Sequence, residues 1–341
     1  MQIPKKIIFD FVGIEKNIQQ SFFSEIKNRL NVNTSIVEEV ADILNLSTDS
    51  TYRRLRNKTQ LTFEEVAKLA GHFNISLDKY VRSSEKMASF SYRSISETNY
   101  DFIEYLKSIL SDLKTIKNSI NPNIIYFAED IPLPQLLFVP EVAAFKLFFW
   151  EKTILNFQRL SKSKFDFSKG HLEVNNISRE IRDIYISIPS TEIYSPDTIG
   201  TTLKQIRYYH YAGFFASKEV ALHLCDKLCE LVEGIRDQAS EGYKFHKKNP
   251  KQTGDYKLYF NEVIYSDTSI LAESDLLKFS YLSNNGLRRI LTHNEAFYDE
   301  SEASVKRLLK KATLLSGSSE KERNIVFEKY LSSIQTLKME I

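Results

Sequence analysis

Over residues 15–80 apolar positions recur every three or four places. Ile18, Phe22, Ile26 and Leu30 form one set, and Val37, Val40, Ala41 and Leu44 a second. Tyr52 and Leu55 form a third, and Phe63, Val66, Ala70 and Phe73 a fourth. Such spacing marks one apolar face per helix. Four helices of this kind bury one small shared core, which Ile75, Leu77 and Tyr80 close. Tyr52 and Leu55 are expected to anchor the third helix to that core.

Residues 83–98, SSEKMASFSYRSISET, are rich in serine and carry no helical stripe, so the domain boundary is placed there. Phe90 and Tyr92 alternate with polar residues, which suits a short extended arm or a plain linker; linker is the reading adopted. A long helix is predicted from Asn99 to Ile120, too short for a coiled-coil seam of three heptads. Ile124–Phe127 reads as a buried strand and Pro134–Asn156 mostly as helix. Ile177–Ile188 and Thr198–Tyr211 read as helices around a strand at Glu192–Tyr194. Residues 217–236 are apolar on nearly all sides, hence a central helix. A three-strand meander is predicted from Tyr256–Tyr265, Thr268–Leu271 and Leu277–Leu282, followed by helices near 300–312 and 319–338. Strands interleaved with helices favour an α/β or α+β domain over residues 99–341.

The segment from Val37 to Tyr80, VEEVADILNLSTDSTYRRLRNKTQLTFEEVAKLAGHFNISLDKY, has the pattern of a helix-turn-helix. Ala41 is small enough for a second helix to cross closely, and Leu46-Ser47-Thr48-Asp49 is a polar turn. The Ser47 hydroxyl is placed to accept from backbone N–H groups near Ser50, as an N-cap. Groove-reading side chains come from the first turns of a recognition helix. Thr48, Asp49, Ser50 and Arg53 are therefore assigned to base edges, with Arg53 suited to bidentate contact with guanine. Arg54, Arg56 and Lys58 are assigned to phosphates.

Residues 35–82 resemble the lambda-repressor/Cro-like, or xenobiotic-response-element-like, family of bacterial transcription regulators. The resemblance implies an all-α domain over residues 1–82. It sets Ala41 and Leu44 on the first helix of the motif, Leu55 as the buried anchor of the second, and Phe63–Ala70 on the next. The stretch STDSTYRRLRNKTQLTFEE resembles a variant found in regulators with a large C-terminal region. Asn45 stands where the family usually has a turn glycine, and asparagine tolerates the left-handed conformation needed there.

Composition narrows the rest. With 42% hydrophobic and 26% charged residues the chain is of ordinary globular type, and a net charge of +2 leaves any polyanion contact to a local patch. The apolar run Leu136–Trp150 is interrupted by Pro140, Glu141 and Lys146, so no membrane span is expected. The start, MQIPKKIIFDF, lacks the features of a secretory signal, and with only Cys225 and Cys229 present a cytoplasmic setting is expected. No dinucleotide loop, Walker loop, HExxH or nucleophile elbow occurs. His246-Lys247-Lys248 is a chance likeness to a nuclease motif, since Thr253 stands where an aspartate is needed. His223, Cys225 and Cys229 could be imagined as metal ligands, but Cys225 and Cys229 share a helix face with Leu222 and Val232 and read as a core stripe, so neither metal nor cofactor is expected.

Tyr208, Tyr209, His210, Tyr211, Phe214 and Phe215 suit a core or the wall of a small-molecule pocket, and Trp150 reads as core. Ser319 and Glu322 form a capping-box pattern, with Ser316-Gly317-Ser318 before it suited to a capped helix start. Asp299, Glu300 and Glu302 read as a solvated loop or helix start. The function expected is a non-enzymatic, double-stranded-DNA-binding regulator, dimeric through residues 99–341 and open to a small-molecule effector. A DNA-targeted nuclease or nucleotide-processing enzyme, or a protein-binding module, is the alternative.

Overall fold

Four helices build the first part of the chain: α1 (Glu15–Arg29), α2 (Ile36–Leu44), α3 (Thr48–Leu55) and α4 (Phe63–His72). The computed structural model describes residues 15–30, 34–73, 75, 77, 80, 88–92, 102–127, 129–167, 172–246, 254–262, 268–275, 277–284 and 288–341. The chain divides into two units, residues 1–89 and 90–341. In the first, Phe22, Phe23, Ile26, Val40, Leu44, Leu69, Ala70 and Ile75 form the core, with Leu77 and Tyr80 packed on it. Asn45 ends α2 at φ 53, and its own N–H and that of Leu46 close back onto Asp42 and Ala41 carbonyls. Thr62 and Glu65 form a complete capping box at the start of α4.

One anchor differs from expectation. Tyr52 is 46% exposed, whereas Thr51 is fully buried. The Thr51 hydroxyl donates to the Ser47 carbonyl at 3.1 Å, so the residue meets the core without an orphaned polar group. Leu55, one turn on, packs on the core as expected. Burying positions 51 and 55 rotates the helix so that Tyr52 turns outward.

The second unit is α+β. Its strands are β1 (Ser91–Tyr92), β2 (Asn123–Phe127), β3 (Ser190–Tyr194), β4 (Tyr256–Phe260), β5 (Ser269–Glu273), β6 (Lys278–Asn284), β7 (Arg288–Thr292) and β8 (Thr313–Leu314). Among the described residues they form one mixed sheet in the order β1-β7-β6-β5-β2-β3-β4-β8. β2, β3 and β4 run parallel, while β5, β6 and β7 form an antiparallel meander beside β2.

The helices are α5 (Phe102–Lys117), α6 (Leu133–Leu136), α7 (Pro140–Phe149), α8 (Leu172–Ser187), α9 (Pro196–Tyr211), α10 (Lys218–Glu241), α11 (Glu295–Leu309) and α12 (Glu320–Glu340). A π turn, Trp150–Ile154, continues α7. α10 is central, with Ala221, Leu224, Cys225, Leu228 and Val232 fully buried. Side chains alternate across the sheet. Ile125 and Leu271 pack with Tyr298 of α11 on one face, while Ile124 and Ala272 join the main core on the other.

Three expectations are corrected here. Residues 91–92 are not linker: β1 pairs antiparallel with β7, Ser91 opposite Leu291, and Phe90 packs edge-on against Phe297. The meander is β5–β6–β7; β4 lies apart between β3 and β8, since its Tyr256, Leu258 and Phe260 are buried in the main core. Ser319 makes no side-chain cap on α12. Instead Arg323 Nη1 donates to the Leu315 and Gly317 carbonyls, while Ser316 Oγ accepts from Leu258 N–H. Among the described residues no helix is long and apolar enough to cross a membrane.

Candidate functional site

α3 carries the residues singled out for DNA. Ser47 caps it as expected, its Oγ accepting from Ser50 N–H at 3.3 Å. Asn57, in the left-handed region at φ 55, follows its end, where Lys58 N–H donates to the Arg53 carbonyl at 2.8 Å. Thr48, Asp49, Tyr52, Arg53, Arg56 and Lys58 are exposed, and Ser50 is half-buried. Positions 49, 52, 53 and 56 follow helical spacing, so these four side chains share one outward stripe. Within it Arg53 Nε pairs with Asp49 at 3.3 Å, and the Arg56 guanidinium lies 5.4 Å from the Tyr52 ring centre. The Asp49–Arg53 pair is solvent-exposed and therefore weak, about 0–1 kcal/mol.

Arg54 departs from its assignment to phosphate. Its guanidinium turns inward, with Nε 3.0 Å from Glu65 Oε2 and Nη2 2.8 Å from Oε1. Nη1 donates to the Ser50 carbonyl, and the two side chains are only 14% and 15% exposed. The Arg54 hydrogen bond is the chief cause that holds the Glu65 carboxyl below its ordinary range. Glu65 Oε2 also accepts from Thr62 N–H at 3.0 Å, so the fork ties α3 to the cap of α4. Arg54 is thus a clamp.

A second fastening had no signal in the apolar pattern. The buried Gln19 of α1 donates to the Arg54 and Thr59 carbonyls and accepts from Leu61 N–H, at 2.8, 3.0 and 2.8 Å. A glutamine inside an amphipathic helix reads as surface unless its partners are seen. It fixes the loop that carries Lys58.

The second unit holds a cavity of about 500 Å³. Ile109 and Leu113 of α5 face Ile124, Ile270 and Ala272 of the sheet across it. Tyr105, Tyr126, Tyr281, Phe149 and Trp150 add aromatic surface, while Thr201 and Gln205 of α9 reach it from the far side. Two ion pairs stand in its wall. Arg289 donates to Asp112 at 3.0 Å and to Ser108 Oγ at 2.9 Å, its guanidinium about 5.5 Å from the Tyr105 and Tyr281 ring centres. Asp130 pairs with the fully buried Lys146, which also donates to Gln205 at 2.6 Å.

Behind Tyr185, which also lines the cavity, lies a polar cluster the sequence reading missed. Fully buried Glu192 accepts from the Tyr185 hydroxyl, from Tyr256 at 2.9 Å and from Gln135 at 3.0 Å. Lys244, also fully buried, donates to the Ile188 carbonyl and to Ser190 Oγ, each at 2.6 Å. Burial, only partly offset by Glu192, pulls its ammonium down to about 7.

The cavity is not where the aromatic run 208–215 suggested. Tyr209 and Phe215 are buried against Phe145 in the core, while Tyr208 and Tyr211 are exposed. Cys225 is buried in that core too, its thiol pushed up to about 12 mainly by burial, which makes it an inert packing residue. Lys247 and Lys248 lie outside the described residues. Compared with family profiles, curated proteins and solved structures, the chain finds a match in none of the three.

Proposed function

We propose that the chain is a sequence-specific, double-strand DNA-binding transcription regulator that acts by binding and not by turnover. One observation carries the reading: α3 is clamped from behind by Arg54–Glu65 and Gln19 and presents Asp49, Arg53 and Arg56 on one exposed stripe. A rigid, projecting, cation-bearing helix suits the major groove. In this reading Arg53 addresses guanine and Asp49 accepts from a cytosine amino group. Arg56 and Lys58 meet phosphates, and Thr48 and Ser50 flank the base edges. Arg54 is reassigned from phosphate to support.

A recognition helix of eight residues offers few base contacts. We therefore propose a dimer through residues 99–341 that reads half-sites about one helical turn, roughly 34 Å, apart. The test is selection of duplexes from a random pool, followed by anisotropy titrations at several salt concentrations. Arg53→Ala is expected to cost about 1–3 kcal/mol on the selected site and to relax preference at one base pair. Lys58→Ala is expected to weaken all duplexes alike and to flatten the salt slope by about one unit. Equal losses on every duplex for both variants would overturn the base-reading role of Arg53. A flat profile for the unaltered protein would favour protein docking through the exposed Tyr52 and Phe63.

A further inference from the structure

The second unit's cavity invites a question that does not depend on what the first unit binds. Its volume, about 500 Å³, lies in the range that encloses a drug-sized molecule. Most of its wall is aliphatic and aromatic, so apolar contact supplies the bulk of any binding. The charges in the wall decide what kind of molecule fits. Arg289, among the described residues the one arginine that lines the cavity, is already committed to Asp112. Asp130 is committed to Lys146 and accepts from the Thr202 hydroxyl at 3.1 Å. Glu129 is exposed and stays in water.

An anion entering this space would meet three carboxylates and a guanidinium already neutralised. A cation would leave water for a wall whose deep carboxylates already have partners. Either charge would be desolvated without a counterion, which costs several kcal/mol. An uncharged molecule escapes that penalty. Tyr105, Tyr126 and Tyr281 supply flat surfaces against which a ring can lie.

We infer that this cavity binds one neutral, largely apolar small molecule that carries a ring system. Ala272 is a fully buried lining residue, so a larger side chain there takes up room at the cavity wall. Trp150, the only tryptophan of the chain, lines the same cavity and reports on it without any substitution.

The probe pair is N-phenylnaphthylamine, which is neutral, and anilinonaphthalene sulfonate, which has the same rings with an anionic group. With the full-length protein, the neutral probe is expected to brighten saturably at one per chain and to quench Trp150 over the same concentrations. The sulfonate is expected to bind at least roughly tenfold more weakly. Ala272→Phe, checked for native circular dichroism, is expected to weaken the neutral probe by roughly tenfold or more. Absent saturation, equal binding of the sulfonate, or brightening without loss of Trp150 emission overturns the assignment. So does a folded Ala272→Phe protein that binds as before. If that variant does not fold, the quenching and charge comparisons on the unaltered chain decide alone.

Discussion

Two arginines adjacent in sequence, Arg53 and Arg54, have opposite surroundings, and the difference is 100° of helix rotation. Arg53 points to water; Arg54 is held by both oxygens of Glu65. Removing Arg54 leaves a half-buried carboxylate without its main partner, so Arg54→Met is expected to lower the first unit's stability by about 2 kcal/mol. At temperatures where the variant remains folded, its affinity for the selected duplex should change far less than that of Arg53→Ala. Denaturant unfolding beside anisotropy checks both. Glu65 binds its proton less readily folded than unfolded, so its contribution is present above the ordinary carboxylate range and is lost as the pH falls through its lowered value. None of this was legible beforehand, because three consecutive basic or polar positions look alike until the buried side is fixed.

At the level of elements, what the sequence revealed were helices with a long stripe. α5, α8, α9 and α10 lie where the apolar spacing put them. β7 was hidden because it opens with Arg288 and Arg289, and β1 because two residues carry no period. The third helix was found but turned wrongly, since an aromatic residue outranks a threonine as a guess for burial and Thr51 hides its hydroxyl in a local hydrogen bond. The cavity was not legible at all: its wall gathers residues from 105 to 289, from elements distant in sequence. The α2–α3 turn was read correctly, and it depends on Asn45 at φ 53. Asn45→Ala is expected to cost about 1 kcal/mol, as a left-handed alanine is strained, while Asn45→Gly stays within about 0.5 kcal/mol of the parent. Thermal unfolding of the two variants side by side checks the ordering.

For the whole molecule, the Glu192–Lys244 cluster sets a pH dependence. Lys244 binds its proton near pH 7 when folded but near 10.5 when free. Between those values the unfolded chain holds a proton that the folded one lacks, so stability rises with pH across that window. Tyr185, Tyr194 and Tyr256 are raised well above 10.0, so their contribution is lost only above pH 10, which sets the upper end. The urea midpoint read from Trp150 emission is expected to climb from pH 7 to about 9.5, and Lys244→Met to flatten that climb. The same unit is sealed on one side by Ser91 and Tyr92, which reach a strand 200 residues further along. Coming off the ribosome, those two residues are among the first of the unit to emerge and among the last to find their neighbour. Until Leu291 has been made β1 cannot take its place at that edge, and the margin of the growing sheet stays open to any passing strand.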